Sequence, residues 1–293
     1  MYVCSAAATS AALLAIGATL LTGPVAQAAP AAGDRRGDTL VIAHRGASAY
    51  APENTLAAVD LAARMGFDWV ENDVQRAKDG ELVVLHDDGL ARTTDVEQRY
   101  PDRAPWKVKD FTAAEIATLD AGSWFGSAWA GARVPTLTEY LRRVDRNDQR
   151  LLLEIKRPEL YPGIEADTLR VLREQGWLDR AHVKRKLVIQ SFGADTVRTV
   201  HRLRPDVVTG FLGTPAVADL PAYAAFTDQI NPSHTTITAG YVAAVHRLKG
   251  PHGKRLAVST WTVNDAAGAV RVDDFGVDGI ITDRPDVVRD AVG

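Results

Sequence analysis

Residues 150–156 read Arg-Leu-Leu-Leu-Glu-Ile-Lys, an apolar run that ends in a glutamate and a lysine two positions apart. A short apolar run bounded by polar residues reads as a buried strand. On a strand, Glu154 and Lys156 share one face. Such side chains are rarely buried unless paired, so a strand that ends in them presents them to something. The pattern recurs outward from this stretch. Thr39-Leu-Val-Ile-Ala runs into His44-Arg45-Gly46, Phe67-Asp-Trp-Val into Glu71-Asn72-Asp73, and Lys186-Leu-Val-Ile into Gln190-Ser191. Strands are expected at 40–44, 69–73, 151–155, 187–191, 207–212, 229–231, 256–261 and 279–282. Helices are expected at 56–64, 136–144, 163–175, 194–203, near 215–225, at 239–248, 265–274 and from Pro285. Eight βα units in roughly 250 residues predict an α/β fold, a (β/α)8 TIM barrel.

One connection breaks the rhythm. Lys78-Asp79-Gly80 is a tight-turn signal between two β-type runs. Too few residues separate Val74 from Leu82 for a parallel crossover, so Leu82–Leu85 should return antiparallel. That hairpin would carry His86 back toward Glu71 and Asp73. Residues 87–135 follow as a small insert with a helical piece at 113–119. An irregular stretch of this length suggests a lid or an inserted module. Its aromatic run, Trp124 to Trp129, is expected to pack the insert onto the body, with pocket lining as the alternative.

The 293 residues carry a net charge of −3 and no strongly basic tract, so nucleic-acid binding has no electrostatic footprint. Residues 1–28 carry no charge. Ala11–Leu21 is apolar, Gly23-Pro24 breaks the run, and Ala26-Gln27-Ala28 resembles a cleavage signal. The run is too short to span a bilayer, so a secretory signal peptide cleaved near Ala28 is expected, although no basic residue precedes it. Residues 29–38 read as a flexible leader and 39–293 as the barrel domain, in a secreted protein with no stable membrane anchor. The single cysteine, Cys4, would leave with the signal, which excludes thiolate catalysis and thiolate metal sites.

The polar residues at the strand ends form a chemical set. Glu71 and Asp73 point to the same side, and burying both uncompensated is costly. A divalent cation with oxygen ligands resolves this, and Glu154 supplies a third carboxylate. The all-oxygen set suits Ca²⁺ or Mg²⁺, and an extracellular setting tilts the choice to Ca²⁺. Arg45 and Lys156 beside that metal suggest an anionic substrate such as a phosphate ester. Two histidines, His44 and His86, are what phosphodiester cleavage needs, one to remove a proton and one to supply it. The residues thus predict a metal-assisted phosphodiesterase. In the 44–55 loop, Gly46 permits a sharp turn, and Asn54-Thr55 can cap the following helix. Glu53 is expected to cap or to hydrogen-bond within that loop rather than to bind metal. Asn72, between two ligands, should point away. His201 and His246 fall on expected helices and His182 and His252 in expected loops, all with surface roles, while His234 could border the pocket.

The order His44-Arg-Gly, Pro52-Glu-Asn-Thr, Glu71-x-Asp73-Val, Lys78-Asp-Gly, His86-Asp, Arg92-Thr-Thr, Pro135-Thr-Leu, Glu154-Ile-Lys156, Gln190-Ser-Phe, Trp261-Thr-Val-Asn and Thr282-Asp-Arg-Pro resembles the glycerophosphodiester phosphodiesterase family. The resemblance covers residue 39 to about 290. It implies a phosphatidylinositol-phospholipase-C-like barrel with an insert after strand two, and hydrolysis of glycerophosphodiesters to sn-glycerol 3-phosphate and an alcohol. It further implies acid–base roles for His44 and His86, metal ligation by Glu71, Asp73 and Glu154, phosphate binding by Arg45 and Lys156, and a pocket lined by Trp261. Similar enzymes use the glycerol's own hydroxyl as nucleophile, through a cyclic phosphate. Two rivals share the fold: a phospholipase-D-like enzyme acting on lysophospholipids or sphingomyelin, and a catalytically silent glycerophosphate-binding barrel. The silent barrel would be expected to lack a histidine, and both are present.

Overall fold

Among the described residues nine strands form one sheet, and eight of them close into a ring. They are β1 (Leu40–Ala43), β2 (Trp69–Arg76), β3 (Leu82–Val84), β4 (Arg150–Ile155), β5 (Leu187–Ser191), β6 (Val208–Leu212), β7 (Gln229–Asn231), β8 (Ala257–Thr260) and β9 (Gly279–Thr282). The computed structural model describes residues 1–3 and 39–293; the expected signal peptide and leader lie outside the described residues, apart from the first three.

All neighbours around the ring are parallel, and β1 closes it by pairing with both β2 and β9. β3 stands outside, antiparallel to the end of β2, with Val74 opposite Val84 and Arg76 opposite Leu82. This is the (β/α)8 barrel with its hairpin. The strands form because apolar residues alternate between two covered faces. Ile42, Leu152, Val188 and Ile281 meet inside the ring. Leu151, Leu153 and Ile155 face outward into a layer that includes Tyr140, Leu141 and Leu172 from the surrounding helices. Each such side chain contributes roughly 1.5–3 kcal/mol on burial, so the register of β4 is strongly held.

Several boundaries differ from expectation. β1 ends at Ala43, so His44 opens the following turn, and β8 ends at Thr260, so Trp261 lies just past its strand. β2 runs on to Arg76 because β3 supplies partners beyond the ring. β6 starts at Val208, and the helix expected near 215–225 is confined to Leu220–Ala224. His182, expected in a loop, lies in a short helix, Arg180–Arg185, whose cap Asp179 accepts from the amides of Ala181 and His182.

The insert has its own apolar cluster, including Leu90, Val108, Phe111, Ile116 and Leu119, packed under the hairpin residues Val83 and Leu85. Its helical piece is shorter than expected, Ala113–Ile116, and starts at a capping box between Thr112 and Glu115. The aromatic run neither lines the site cleft nor is fully packed away. Trp124 is 41% exposed and meets Phe125 edge to face. Asp120 holds the backbone of this segment instead, accepting from the amides of Gly122, Ser123 and Gly131.

Candidate active site

The carboxyl ends of the ring strands open into a cleft of about 110 Å³, whose lining includes the polar residues His44, Arg45, Glu71, His86, Glu154 and Lys156 and the apolar Phe192, Leu212 and Trp261. His44 and Arg45 emerge where β1 turns at Gly46. A side chain there would force a shift: the φ is +82°, and a Cβ would fall 2.6 Å from the carbonyl carbon of Ala58. Arg45 itself adopts a left-handed φ of 57°, uncommon for a residue with a Cβ. Several contacts hold it in place. Its amide donates to Glu71 Oε2 at 3.1 Å, its Nη1 to Glu53 Oε1 at 2.9 Å, and its Nε sits 3.2 Å from Asp73 Oδ2.

The loop beyond divides the tasks expected of Asn54 and Thr55. Thr55 caps helix Leu56–Arg64, accepting from Ala58. Asn54 instead donates to Asp73 Oδ2 at 2.8 Å. Glu53 is outside the carboxylate cluster and pairs with arginines, in line with the hydrogen-bonding expectation. Asn72 is fully buried, and its two side-chain polar atoms have no partner among the described residues.

Glu71, Asp73 and Glu154 each offer a carboxylate oxygen within 4.8 Å of the other two, all buried. Parallel register explains the convergence, since Asp73 pairs with Glu154 and Glu154 with Gln190 across β2, β4 and β5. Gln190 is fixed by Asn231, which donates to its Oε1 at 2.8 Å. Asn231 fits because Gly210 is bare: a Cβ there would lie 2.7 Å from its amide nitrogen.

The charges are unevenly compensated. Burial, together with the neighbouring carboxylates Asp73 and Glu154, pushes Glu71 well above the usual range. Burial and the charge of Asp73 push Glu154 up to about 8, against the opposing pull of Lys156, whose Nζ is 2.9 Å away. Burial acts on Asp73 too, but Arg45 and Lys156 outweigh it and hold this carboxyl well below its ordinary value. Asp73 Oδ1 is buried without a hydrogen bond. Two carboxyls driven toward protonation, an orphaned buried oxygen and an all-oxygen donor set fit a hard divalent cation.

Each histidine is gripped at Nδ1 by a carboxylate. His44 Nδ1 lies 2.6 Å from Asp283 Oδ1, and His86 Nδ1 lies 2.7 Å from Asp87 Oδ1. The other nitrogen of His44 is 4.0 Å from Glu71 Oε2, on the cleft side. Burial lowers the His86 pKa, outweighing the pull of Asp73. Burial raises Asp283 and Asp87, but hydrogen bonds reverse this: from His44, Asn264 and Ser48 for Asp283, and from Arg92 and His86 for Asp87, which falls to about 2. Both stay ionised near neutral pH. The backbone at His86 is pinned by Gln75, whose side-chain amide donates to the carbonyls of Leu85 and Asp87 at 2.8 and 2.5 Å. Trp261 is anchored through its indole N–H to the Asn231 carbonyl and meets Phe192 edge to face at 5.5 Å.

The eight residues singled out in sequence therefore share one cleft or its floor. The amino-acid pattern alone assigned no role to Asp87, Asp283, Gln75, Asn231 or Arg92. His234 does not line this cleft; its Nδ1 lies 2.9 Å from Arg271 Nη2. The model of the glycerophosphoryl diester phosphodiesterase family matches residues 44–287. The chain belongs to this family.

Relatives agree with that membership. The glycerophosphodiester phosphodiesterase of Bacillus subtilis is 35% identical, over 85% of this chain and 84% of that protein. That of Caldanaerobacter subterraneus subsp. tengcongensis is 37% identical, over 87% of this chain and 98% of its own. Among solved structures, an Oleispira antarctica phosphodiesterase in complex with the product sn-glycerol-3-phosphate superposes with a TM-score of 0.75 at 28% identity, covering 87% of this chain and 97% of that one. This member of the glycerophosphoryl diester phosphodiesterase family is a phosphoric diester hydrolase.

Proposed function

We propose that the enzyme cleaves glycerophosphodiesters to sn-glycerol 3-phosphate and an alcohol, with His44 and His86 as its acid–base pair. The observation that carries this reading is the matched pair of carboxylate-held histidines beside three buried carboxylates in one cleft. A carboxylate on Nδ1 favours the tautomer protonated there and leaves Nε2 to exchange a proton with substrate. One Nε2 takes the proton of the attacking hydroxyl, and the other gives a proton to the leaving alkoxide. By the family resemblance, the attacking hydroxyl is glycerol's own. The resulting cyclic phosphate is opened by water, with the two histidines exchanging roles.

Glu71, Asp73 and Glu154 would hold the divalent cation, with Ca²⁺ favoured over Mg²⁺ for an exported enzyme. Such an ion supplies charge stabilisation for the phosphate's non-bridging oxygens and acidifies a bound hydroxyl. Arg45 and Lys156 bind the phosphate. Arg45 is oriented by Glu53 and Asp73 and keeps N–H donors for phosphate oxygens, and Lys156 adds a point charge. Trp261 and Phe192 wall the cleft that holds Arg45 and Lys156. We also propose export through residues 1–28, checked by the N-terminal sequence of protein recovered from the medium. The catalytic assignment is tested with His44→Gln and His86→Gln: each should abolish turnover of glycerophosphocholine while keeping calorimetric Ca²⁺ binding. Turnover at the wild-type rate in either would overturn it.

A further inference from the structure

His86 differs from His44 in what carries it. His44 leaves β1, which is paired on both sides within the closed ring. His86 follows β3, a three-residue strand outside the ring, held along one side by β2 and along the other by a bridge from Val83 to Thr136 and by the Val84 amide donating to the Pro135 carbonyl. These contacts and Gln75 fix the backbone, and the imidazole itself needs its own tether to keep its distance from a group on the barrel. Arg92, in the insert, is built as one. Its Nη1 and Nη2 donate to Glu53 Oε2 and Oε1, both at 2.8 Å. Its Nε and Nη2 donate to Asp87 Oδ2 and Oδ1 at 2.6 and 3.0 Å. Glu53 in turn holds Arg45, and Asp87 holds His86.

We propose that Arg92 is a positioning residue for the reaction: it fixes His86 through Asp87 and, through Glu53, ties that histidine to the loop bearing His44 and Arg45. This rests on the assignment of His86 as an acid–base group. Four of the guanidinium's five N–H donors are spent on the two carboxylates, which leaves little for substrate. The Arg92 side chain is 44% exposed, and its partners Glu53 and Asp87 are 13% and 32% exposed, so the network contributes some stability. What points to positioning is its connectivity: two bidentate grips join the loop bearing His44 and Arg45 to the segment bearing His86. A planar fork can grip two carboxylates bidentately at once, whereas an ammonium, with three donors, cannot.

Steady-state kinetics of Arg92→Gln, Arg92→Lys, Asp87→Asn and the Asp87→Asn/Arg92→Gln double variant test the proposal, with His86→Gln as control. Misplacing a reacting group by an ångström costs as much as about 100-fold. The expected result for Arg92→Gln is a kcat lowered roughly 10- to 100-fold with KM within about threefold, because positioning acts on the chemical step. Arg92→Lys should recover little, and Arg92→Gln should cost almost nothing further in the Asp87→Asn background. An unchanged kcat, a raised KM at constant kcat, or a full additional loss in the Asp87→Asn background would overturn it. Wild-type turnover by His86→Gln would instead remove the assignment on which the proposal stands.

Discussion

His44 Nδ1 and Asp283 Oδ1 lie 2.6 Å apart although 239 residues separate them in the chain. Closure of the ring makes this contact, since β1 pairs with β9 and Asp283 follows β9 directly. Asp87 makes the same contact with His86 from the adjacent position. Replacing Asp283 by Asn keeps the shape but removes the charge that favours the Nδ1-protonated ring. Asp283→Asn and Asp87→Asn are each expected to lower kcat by about 100-fold or more, with KM little changed. Wild-type kcat in either would show that the carboxylate is not used.

The buried carboxylates couple metal binding to protons. Without a metal, the folded protein holds Glu154 near 8, against an ordinary 4.5. Between those values the folded state binds more protons than the unfolded one. This group's contribution to the stability of chelated protein is therefore complete below about 4.5 and is lost as pH rises toward 8. Divalent cation should restore it, most strongly at the alkaline end. Melting curves of chelated protein from about pH 5 to 9, with and without Ca²⁺, measure this; a metal-induced rise that is largest at acid pH would contradict it.

The turn at Gly46 has no room for a side chain without a local shift. Gly46→Ala must shift either Ala58 or the His44-Arg45 segment, and it forces alanine into the left-handed region. The expected loss is about 1–3 kcal/mol in stability, with a larger proportional loss in kcat. Urea unfolding and kinetics on one preparation separate the two effects.

At the other end of the barrel, Asp278 accepts from His246 Nε2 at 2.9 Å and from the Val258 amide at 2.8 Å, and pairs with Arg255. Burial raises this carboxyl, but these donors outweigh it and hold it below its ordinary value. Its contribution is present above the ordinary carboxylate range and is lost as pH falls through the depressed value. Asp278→Asn should cost about 1–3 kcal/mol at neutral pH, with the gap from wild type narrowing as the solution is acidified toward about pH 3. A constant gap across that range would show that the charge is not the source.

The strand ends were legible because each combines an apolar run with a polar exit, and because inward-facing carboxylates two apart need an explanation wherever they are buried. Glu71, Asp73, Glu154 and Lys156 all follow from that one rule. Asp283 obeys it too, at the end of β9, but its partner is fixed only by ring closure, which no local pattern encodes. Gln75 was hidden for a related reason: its amide pins the carbonyls near His86 only because β2 runs past the ring to meet β3. Arg92 lies in a segment without periodicity, where long-range ion pairs decide the conformation. The helix at Arg180–Arg185 was missed because six residues are too few to show a 3.6-residue period, and its Asp179 cap was its one local signal.

The first measurement to make is release of sn-glycerol 3-phosphate from glycerophosphocholine by the protein, with chelator and after adding back Ca²⁺ or Mg²⁺. Chelation should abolish turnover, and one of these ions should restore it. Undiminished turnover in chelator would contradict the role given to Glu71, Asp73 and Glu154, and no turnover with either ion would contradict the substrate.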